Sequence, residues 1–188
     1  KDTGQYDQLT DIFAASGAAS LFRVAALKEV GLFDEDFFAY YEDVDLGFRL
    51  QLAGWKVGFV PSAKVFHAIG MTSARIKGFT TYQTLKNQPL VVWKNIPSRY
   101  LWTVGWRFSF AYLMFFGRAL TRGQFFPAIK GVVMALLLTM KNIPARWRIQ
   151  STKKVSSQYI WQLITHDLPP NATTLRNTRN VWWKFTGR

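Results

Sequence analysis

The sequence predicts an α/β segment followed by an α-helical, basic and aromatic region, and three observations carry that prediction. The net charge of +13 is unevenly divided: residues 1–75 hold 7 Lys/Arg against 10 Asp/Glu, whereas residues 76–188 hold 17 Lys/Arg and a single acid, Asp167. Seven of the eight Trp lie in the second stretch. Short apolar runs broken by Gly and Pro alternate with short helical patterns in the first stretch, while long aromatic helical patterns fill the second. Parts that differ this much imply two tasks, a piece of a catalytic α/β domain and a surface that meets something anionic. At 49% apolar and 19% charged residues the chain is not disordered throughout. The lack of Cys excludes a disulfide scaffold, a thiolate metal site and a Cys nucleophile. The longest apolar runs, 110–116 and 132–138, fall far short of the roughly 18 residues of a spanning helix. Lys at position 1, with no basic-then-apolar leader behind it, points to a fragment or a processed product.

Residues 12–15 and 18–22 read as two short strands or one bent strand, with Gly17 at the bend. Val24–Val30 reads as a short helix closed by Gly31. Residues 32–38 form a loop with aromatic anchors. Residues 42–53 read as a helix: acids crowd the first turn, Asp45 and Arg49 are four apart, and Gly54 ends it. Residues 56–60 read as a strand stopped by Pro61, and 63–67 as another with Ala63, Val65 and His67 on one face. Further on, 79–93 is helical with Pro89 as a kink or break, and 99–120 is a long aromatic helix ended by Gly123. Pro127 sits in the first turn of a helix that runs to about Asn142, before Pro144. Leu168-Pro169-Pro170-Asn171 reads as a turn or linker.

The densest chemical signal lies between Phe33 and Leu46, where six of the chain's 11 carboxylates fall within twelve residues. Glu42, Asp43 and Asp45 sit at a helix start, which stabilises negative charge. An ionised carboxylate at a cleft edge can serve as a general base toward an alcohol or as a ligand for a divalent cation. The residues alone leave a second reading open, in which the acids serve only to cap the helix.

Ser16-Gly17-Ala18-Ala19-Ser20-Leu21-Phe22-Arg23, Gly31-Leu32-Phe33-Asp34-Glu35, Tyr41-Glu42-Asp43-Val44-Asp45-Leu46, Gly54, His67 and Gly70-Met71-Thr72-Ser73 form an ordered set. That set resembles the second half of a family 2 inverting glycosyltransferase, of the rhamnosyltransferase-like branch, over about residues 12–95. Lys86-Asn87 and Lys94-Asn95 are similar to a basic-Asn pattern that follows the catalytic domain in that family, with Lys86 where Arg is common. The resemblance implies an incomplete GT-A (Rossmann-like) portion at 1–78, its acceptor side; composition and charge add amphipathic interfacial helices at 79–150 and a basic tail at 151–188.

By the same resemblance Asp43 is the general base toward an acceptor hydroxyl, and Glu42 orients the site or binds the acceptor. The donor is a nucleotide-diphosphate sugar, dTDP-rhamnose by likeness, and the acceptor a saccharide or lipid-linked saccharide. Gly17, Asp34, Glu35 and Arg49 are assigned to the donor and acceptor sites, with Asp45 a structural partner of Arg49. Gly17 reads equally as a plain turn. His67 is either a ligand of the Mg2+ or Mn2+ that the family uses or a strand-end His bonded to backbone. His166 has no supporting pattern. The family's Asp-x-Asp metal motif does not occur before Asp34, and Asp34-Glu35-Asp36 and Asp43-Val44-Asp45 sit in the acceptor-side blocks. No Gly-rich phosphate loop occurs either. The expectation is the C-terminal portion of an enzyme, which transfers no sugar by itself.

In the basic region, Arg107, Arg118 and Arg122 fall within about 60° of helix surface, while Trp102, Trp106, Phe110, Leu113 and Phe116 take other faces. Lys130 and Lys141 share a face of the next helix. Basic residues and Trp on an otherwise apolar helix suit the interface of an anionic membrane, and the Trp182-Trp183-Lys184 tail fits the same reading. The expected place is the cytoplasmic face of the cell membrane, peripheral or monotopic. Two rivals stay open for these helices, packing on another domain and binding of single-stranded nucleic acid, for which no nucleic-acid motif is present. The alternative function is a non-catalytic basic aromatic module binding anionic membrane or single-stranded nucleic acid.

Overall fold

A computed structural model of the chain describes residues 11–68 and 73–164. In them helices far outweigh strands, in a mostly helical arrangement with one small two-stranded sheet. β1 (Asp11–Ile12) pairs antiparallel with β2 (Val57–Gly58), Asp11 opposite Gly58 and Ile12 opposite Val57. The strand expected at 63–67 does not form. A strand needs a neighbour for its N–H and C=O groups, and among the described residues none lies beside this exposed stretch.

α1 (Val24–Val30) has the predicted bounds, and Gly31 closes it at φ 86° with its N–H on the Leu27 carbonyl. α2 (Glu42–Leu52) begins at the predicted acid and ends at Ala53, followed by Gly54 at φ 83°. A short 3-10 turn at Ser73–Arg75 leads to α3 (Phe79–Asn95).

α3 runs through Pro89 without ending there. Proline has no N–H, so the carbonyl of Leu85, four residues earlier, loses its helical donor. The Tyr112 hydroxyl from α4 (Ser98–Thr121) donates to that carbonyl at 2.8 Å, and burial pushes its pKa up to about 12. α5 (Phe125–Lys141) lies so close to α3 that a Cβ on Gly131 would sit 2.9 Å from both Leu85 Cβ and the Tyr82 carbonyl oxygen. Only a glycine lets the two backbones meet there.

α6 (Ile143–Ser151) and α7 (Ser157–Leu163), which the sequence reading did not delineate, complete the chain's described part. Arg146 of α6 donates to the carbonyls of Trp93 and Ile96 and to Ser98 Oγ, and Gln150 donates to those of Lys94 and Asn95. Together they satisfy the last carbonyls of α3, which have no partner within the helix. The main core joins Phe37, Phe48, Leu52, Leu90, Val91, Ile96, Leu138 and Ile160. It draws on all three stretches that the sequence reading set apart, with α3 at its centre.

Candidate active site

One face of α2 builds the site. Asp43, Gly47 and Gln51 are four residues apart and so lie above one another, and all three meet the segment 12–17. Gln51 Nε2 donates to the Phe13 carbonyl at 2.9 Å. A Cβ on Gly47 would stand 2.3 Å from Ala14 Cβ, so glycine is what admits the segment against the helix. Phe13 packs edge-on to Phe48, ring centroids 4.6 Å apart. The segment is thereby carried to the start of α2, where the Gly17 N–H donates to Asp43 Oδ2 at 2.9 Å. Asp43 Oδ1 accepts from the Val44 N–H at 2.8 Å. Two backbone donors thus fix the carboxylate while each oxygen keeps further acceptor capacity.

Glu42 completes the group. A Cβ on Gly17 would lie 3.7 Å from Asp43 Oδ2 and 3.8 Å from Glu42 Oε1, so any side chain at position 17 would cover both acids. Burial raises the Glu42 pKa from its ordinary value, and the neighbouring Asp43 charge adds to the shift against a hydrogen bond from its own backbone N–H. Among the described residues Glu42 Oε2 has no hydrogen-bond partner. The structure therefore brings Gly17, Glu42 and Asp43 together.

The loop entering α2 is strained. Phe38, Tyr40 and Tyr41 hold φ of 61°, 67° and 71°, a left-handed region that non-glycine residues rarely adopt. α3 holds it there. Asn87, fully buried, places Nδ2 at 3.0, 2.8 and 2.7 Å from the carbonyls of Phe37, Ala39 and Tyr40. Lys86 Nζ donates to the Asp36 and Phe37 carbonyls, and Gln88 Nε2 to the Tyr41 hydroxyl. Asp36 in turn accepts from Lys141 Nζ at 2.6 Å and Asn142 Nδ2 at 2.8 Å, at the end of α5. Gly47, Asn87 and Asn142 were missed as site-building residues. The Lys86-Asn87 pair was visible in the sequence, but its partners lie about fifty residues away.

The remaining predicted residues fall elsewhere. Asp45, wholly buried, meets Arg49 Nε at 2.8 Å, Asn95 Nδ2 at 2.8 Å and Lys94 Nζ at 3.0 Å. Arg49 also donates to the carbonyls of Val30, Gly31 and Leu32, which fixes the turn after α1. Asp34 pairs with Lys94. Burial works to raise its pKa, but the Lys94 hydrogen bond and charge outweigh it and the net direction is down. Asp34 and Arg49 thus serve a buried ion-pair network beside the acid pair, and Glu35 is exposed. His67 stands in an exposed coil. His166, Gly70-Met71-Thr72 and Trp182-Trp183-Lys184 lie outside the described residues. Trp102, Trp106, Arg107, Arg118, Arg122 and Lys130 are all exposed on α4, the turn after it, and α5.

Among the described residues no three His, Asp or Glu side chains converge as a metal site requires. His67 joins no such group among the described residues. A cavity of about 350 Å³ is lined by Glu29, Arg49, Arg148 and Lys153 among others and does not include Glu42 or Asp43. The acid pair sits instead at an open edge beside Gly17.

The chain is 56% identical over 52 residues to the N-acetylglucosaminyl-diphospho-decaprenol L-rhamnosyltransferase of Mycobacterium tuberculosis, in both strain CDC 1551 / Oshkosh and strain ATCC 25618 / H37Rv. That match covers 28% of this chain and 17% of the relative. It is 43% identical over 54 residues to Rhamnosyltransferase WbbL of Escherichia coli strain K12, covering 29% of this chain and 19% of that protein. The matches thus span less than a fifth of the length of these relatives. No solved structure matches the chain at a significant level. The profile of the Glycosyl transferase family group 2 matches residues 1–174, nearly the whole chain. The chain belongs to that family, as a rhamnosyltransferase-like family 2 glycosyltransferase.

Proposed function

We propose that the protein supplies the acceptor side of an inverting sugar transfer, with Asp43 as the general base. The observation that carries the reading is the grouping of Gly17, Glu42 and Asp43, where a missing side chain leaves two positioned carboxyl groups uncovered. In the proposed step Asp43 takes the proton of an acceptor hydroxyl as that oxygen bonds to the anomeric carbon of the donor sugar. The bond from that carbon to the nucleoside diphosphate breaks on the opposite face, and its electron pair leaves with the diphosphate. A single displacement inverts the configuration. Glu42, raised in pKa and short of one partner, is suited to hold a second acceptor hydroxyl.

The proposed donor is dTDP-rhamnose, by likeness to the rhamnosyltransferases. The proposed acceptor is a saccharide or a lipid-linked saccharide, of the kind named for the mycobacterial relative, met at the cytoplasmic face of the membrane. The divalent requirement, Mg2+ or Mn2+, is part of the proposal. Chelation should abolish transfer, and readdition of either ion restore it. The 188-residue chain by itself is proposed to be inactive.

The protein expressed from its whole reading frame, offered dTDP-rhamnose and a panel of other nucleotide sugars, should yield a glycoside of inverted anomeric configuration by NMR. A product with the donor's configuration would contradict the single displacement, and no transfer from any donor would contradict the reading itself.

A further inference from the structure

The largest feature that the sugar-transfer reading leaves unused is the outer surface of α4, α5 and α6. On α4 the side chains of Trp102, Trp106, Phe110, Leu113 and Met114 are exposed, Trp102 at 84%. At 100° per residue they fall within an arc of about 120°, and Arg107, Arg118 and Arg122 follow directly beyond one edge of it. α5 repeats the arrangement. Phe125, Phe126, Ile129, Val133, Leu136, Leu137 and Met140 are exposed over an arc of about 120°, with Lys130 and Lys141 just past its edge. The other side of α5, with Ala128, Gly131, Ala135 and Leu138, is buried, and at Gly131 it meets α3. Ile143 and Trp147 carry the apolar surface onto α6. From residue 97 to residue 150 there is no Asp or Glu.

A monomeric soluble surface rarely shows an apolar patch of this extent. We infer that the joined apolar face of α4, α5 and α6 beds into a lipid surface carrying anionic headgroups, with the Arg and Lys rows at its rim. Charge complementarity selects this occupant. A second copy seated face to face would bring two basic, acid-free rims together, whereas anionic headgroups oppose them with the complementary sign. Long basic side chains at the edge of an apolar stripe can reach the headgroups while their stems stay in hydrocarbon, and exposed Trp suits the same boundary.

The helices lie along the surface and do not pass through it. No single described helix is long and apolar enough to cross a membrane. α5 and α6 reach that length and composition only as a pair, bent by 54°. α6 is moreover tied to the protein by Arg146, buried on the carbonyls at the end of α3. The face is also close-coupled to the acid pair: Lys141, at its rim, and the adjacent Asn142 both bind Asp36 in the loop that enters α2. A bilayer under α5 therefore lies beside the loop that positions Asp43.

This inference deepens the lipid-linked acceptor proposed above and rests on that reading only for its purpose, because vesicle binding is read without donor or acceptor. The protein from its whole reading frame is floated with sealed vesicles of phosphatidylcholine alone or with phosphatidylglycerol added. Binding to the anionic vesicles should be at least tenfold stronger. Trp106→Glu with Leu136→Glu, both at exposed positions, should lower it at least tenfold with an unchanged circular dichroism spectrum. Arg107→Glu with Arg118→Glu should remove the preference for anionic lipid. Transfer to a water-soluble saccharide acceptor should be unchanged in both double variants. Failure to bind either vesicle, equal binding to both, salt-steep binding of single-stranded RNA in place of vesicles, a dimer that Leu136→Glu dissolves, or protease protection of a segment inside the vesicle would each overturn the inference. Vesicle binding without transfer from any donor would sink the proposed function and leave this surface standing.

Discussion

Glu42 holds a carboxyl group that the fold makes less comfortable. Its pKa is raised first by burial and then by Asp43 beside it. An acid whose folded value lies above its unfolded one weakens the fold as pH rises through those values, because the charged form is better solvated in the unfolded chain. Glu42→Gln should therefore raise Tm at neutral pH, with no gain below its ordinary value of 4.5, where the wild-type group is protonated in both states. Acceptor KM should rise in the same variant. A Tm gain that persists unchanged in acid would show that the charge is not the cause. Asn87 makes the opposite contribution, since its amide serves three carbonyls of a loop with three left-handed residues. Asn87→Ala should cost about 1–3 kcal/mol by leaving buried carbonyls without donors, measured by urea denaturation. Asn87→Asp should cost more, because it sets a buried carboxylate against the oxygen atoms of those carbonyls. The acid pair was legible in the sequence because it is contiguous. Asn87 was legible only as half of a basic-Asn pair, because nothing in its neighbours reveals which carbonyls it serves.

At the scale of elements, α2 acts as a ruler with positions 43, 47 and 51 on one side and 45 and 49 on the other. The first side sets the segment 12–17 and thereby Gly17; the second fixes the turn after α1 and the end of α3. Gly47→Ala should push Ala14 away from the helix, at a cost of about 1–3 kcal/mol for an overpacked contact. Because the same segment carries Gly17, kcat should fall with stability; a Gly47→Ala enzyme with unchanged rate would show that segment 12–17 does not position the base. The bounds of α1 and the start of α2 were readable because Gly31, Gly54 and the first-turn acids act locally. The passage of α3 through Pro89 was not, since the donor that replaces the lost N–H, Tyr112, comes from the next helix. Residues 63–67 have the alternation of a strand, yet alternation cannot supply a neighbour to pair with. α6 is anchored mainly through Arg146 and Gln150, polar contacts that leave little hydrophobic period to read.

For the whole molecule, the uneven charge marks a division of labour within one core. The acidic first part carries Glu42 and Asp43, and the basic helices grip their loop through Lys86, Asn87 and Lys141 while turning an apolar face outward. The central claim is that Asp43, held by the Gly17 N–H, removes the acceptor proton. The most direct test compares Asp43→Asn with wild type, both from the whole reading frame, by steady-state sugar transfer and by donor binding in parallel. Loss of a general base predicts a kcat lowered by roughly 100-fold or more with donor affinity little changed. An Asp43→Asn enzyme that turns over at near the wild-type rate would contradict the assignment and place the base elsewhere.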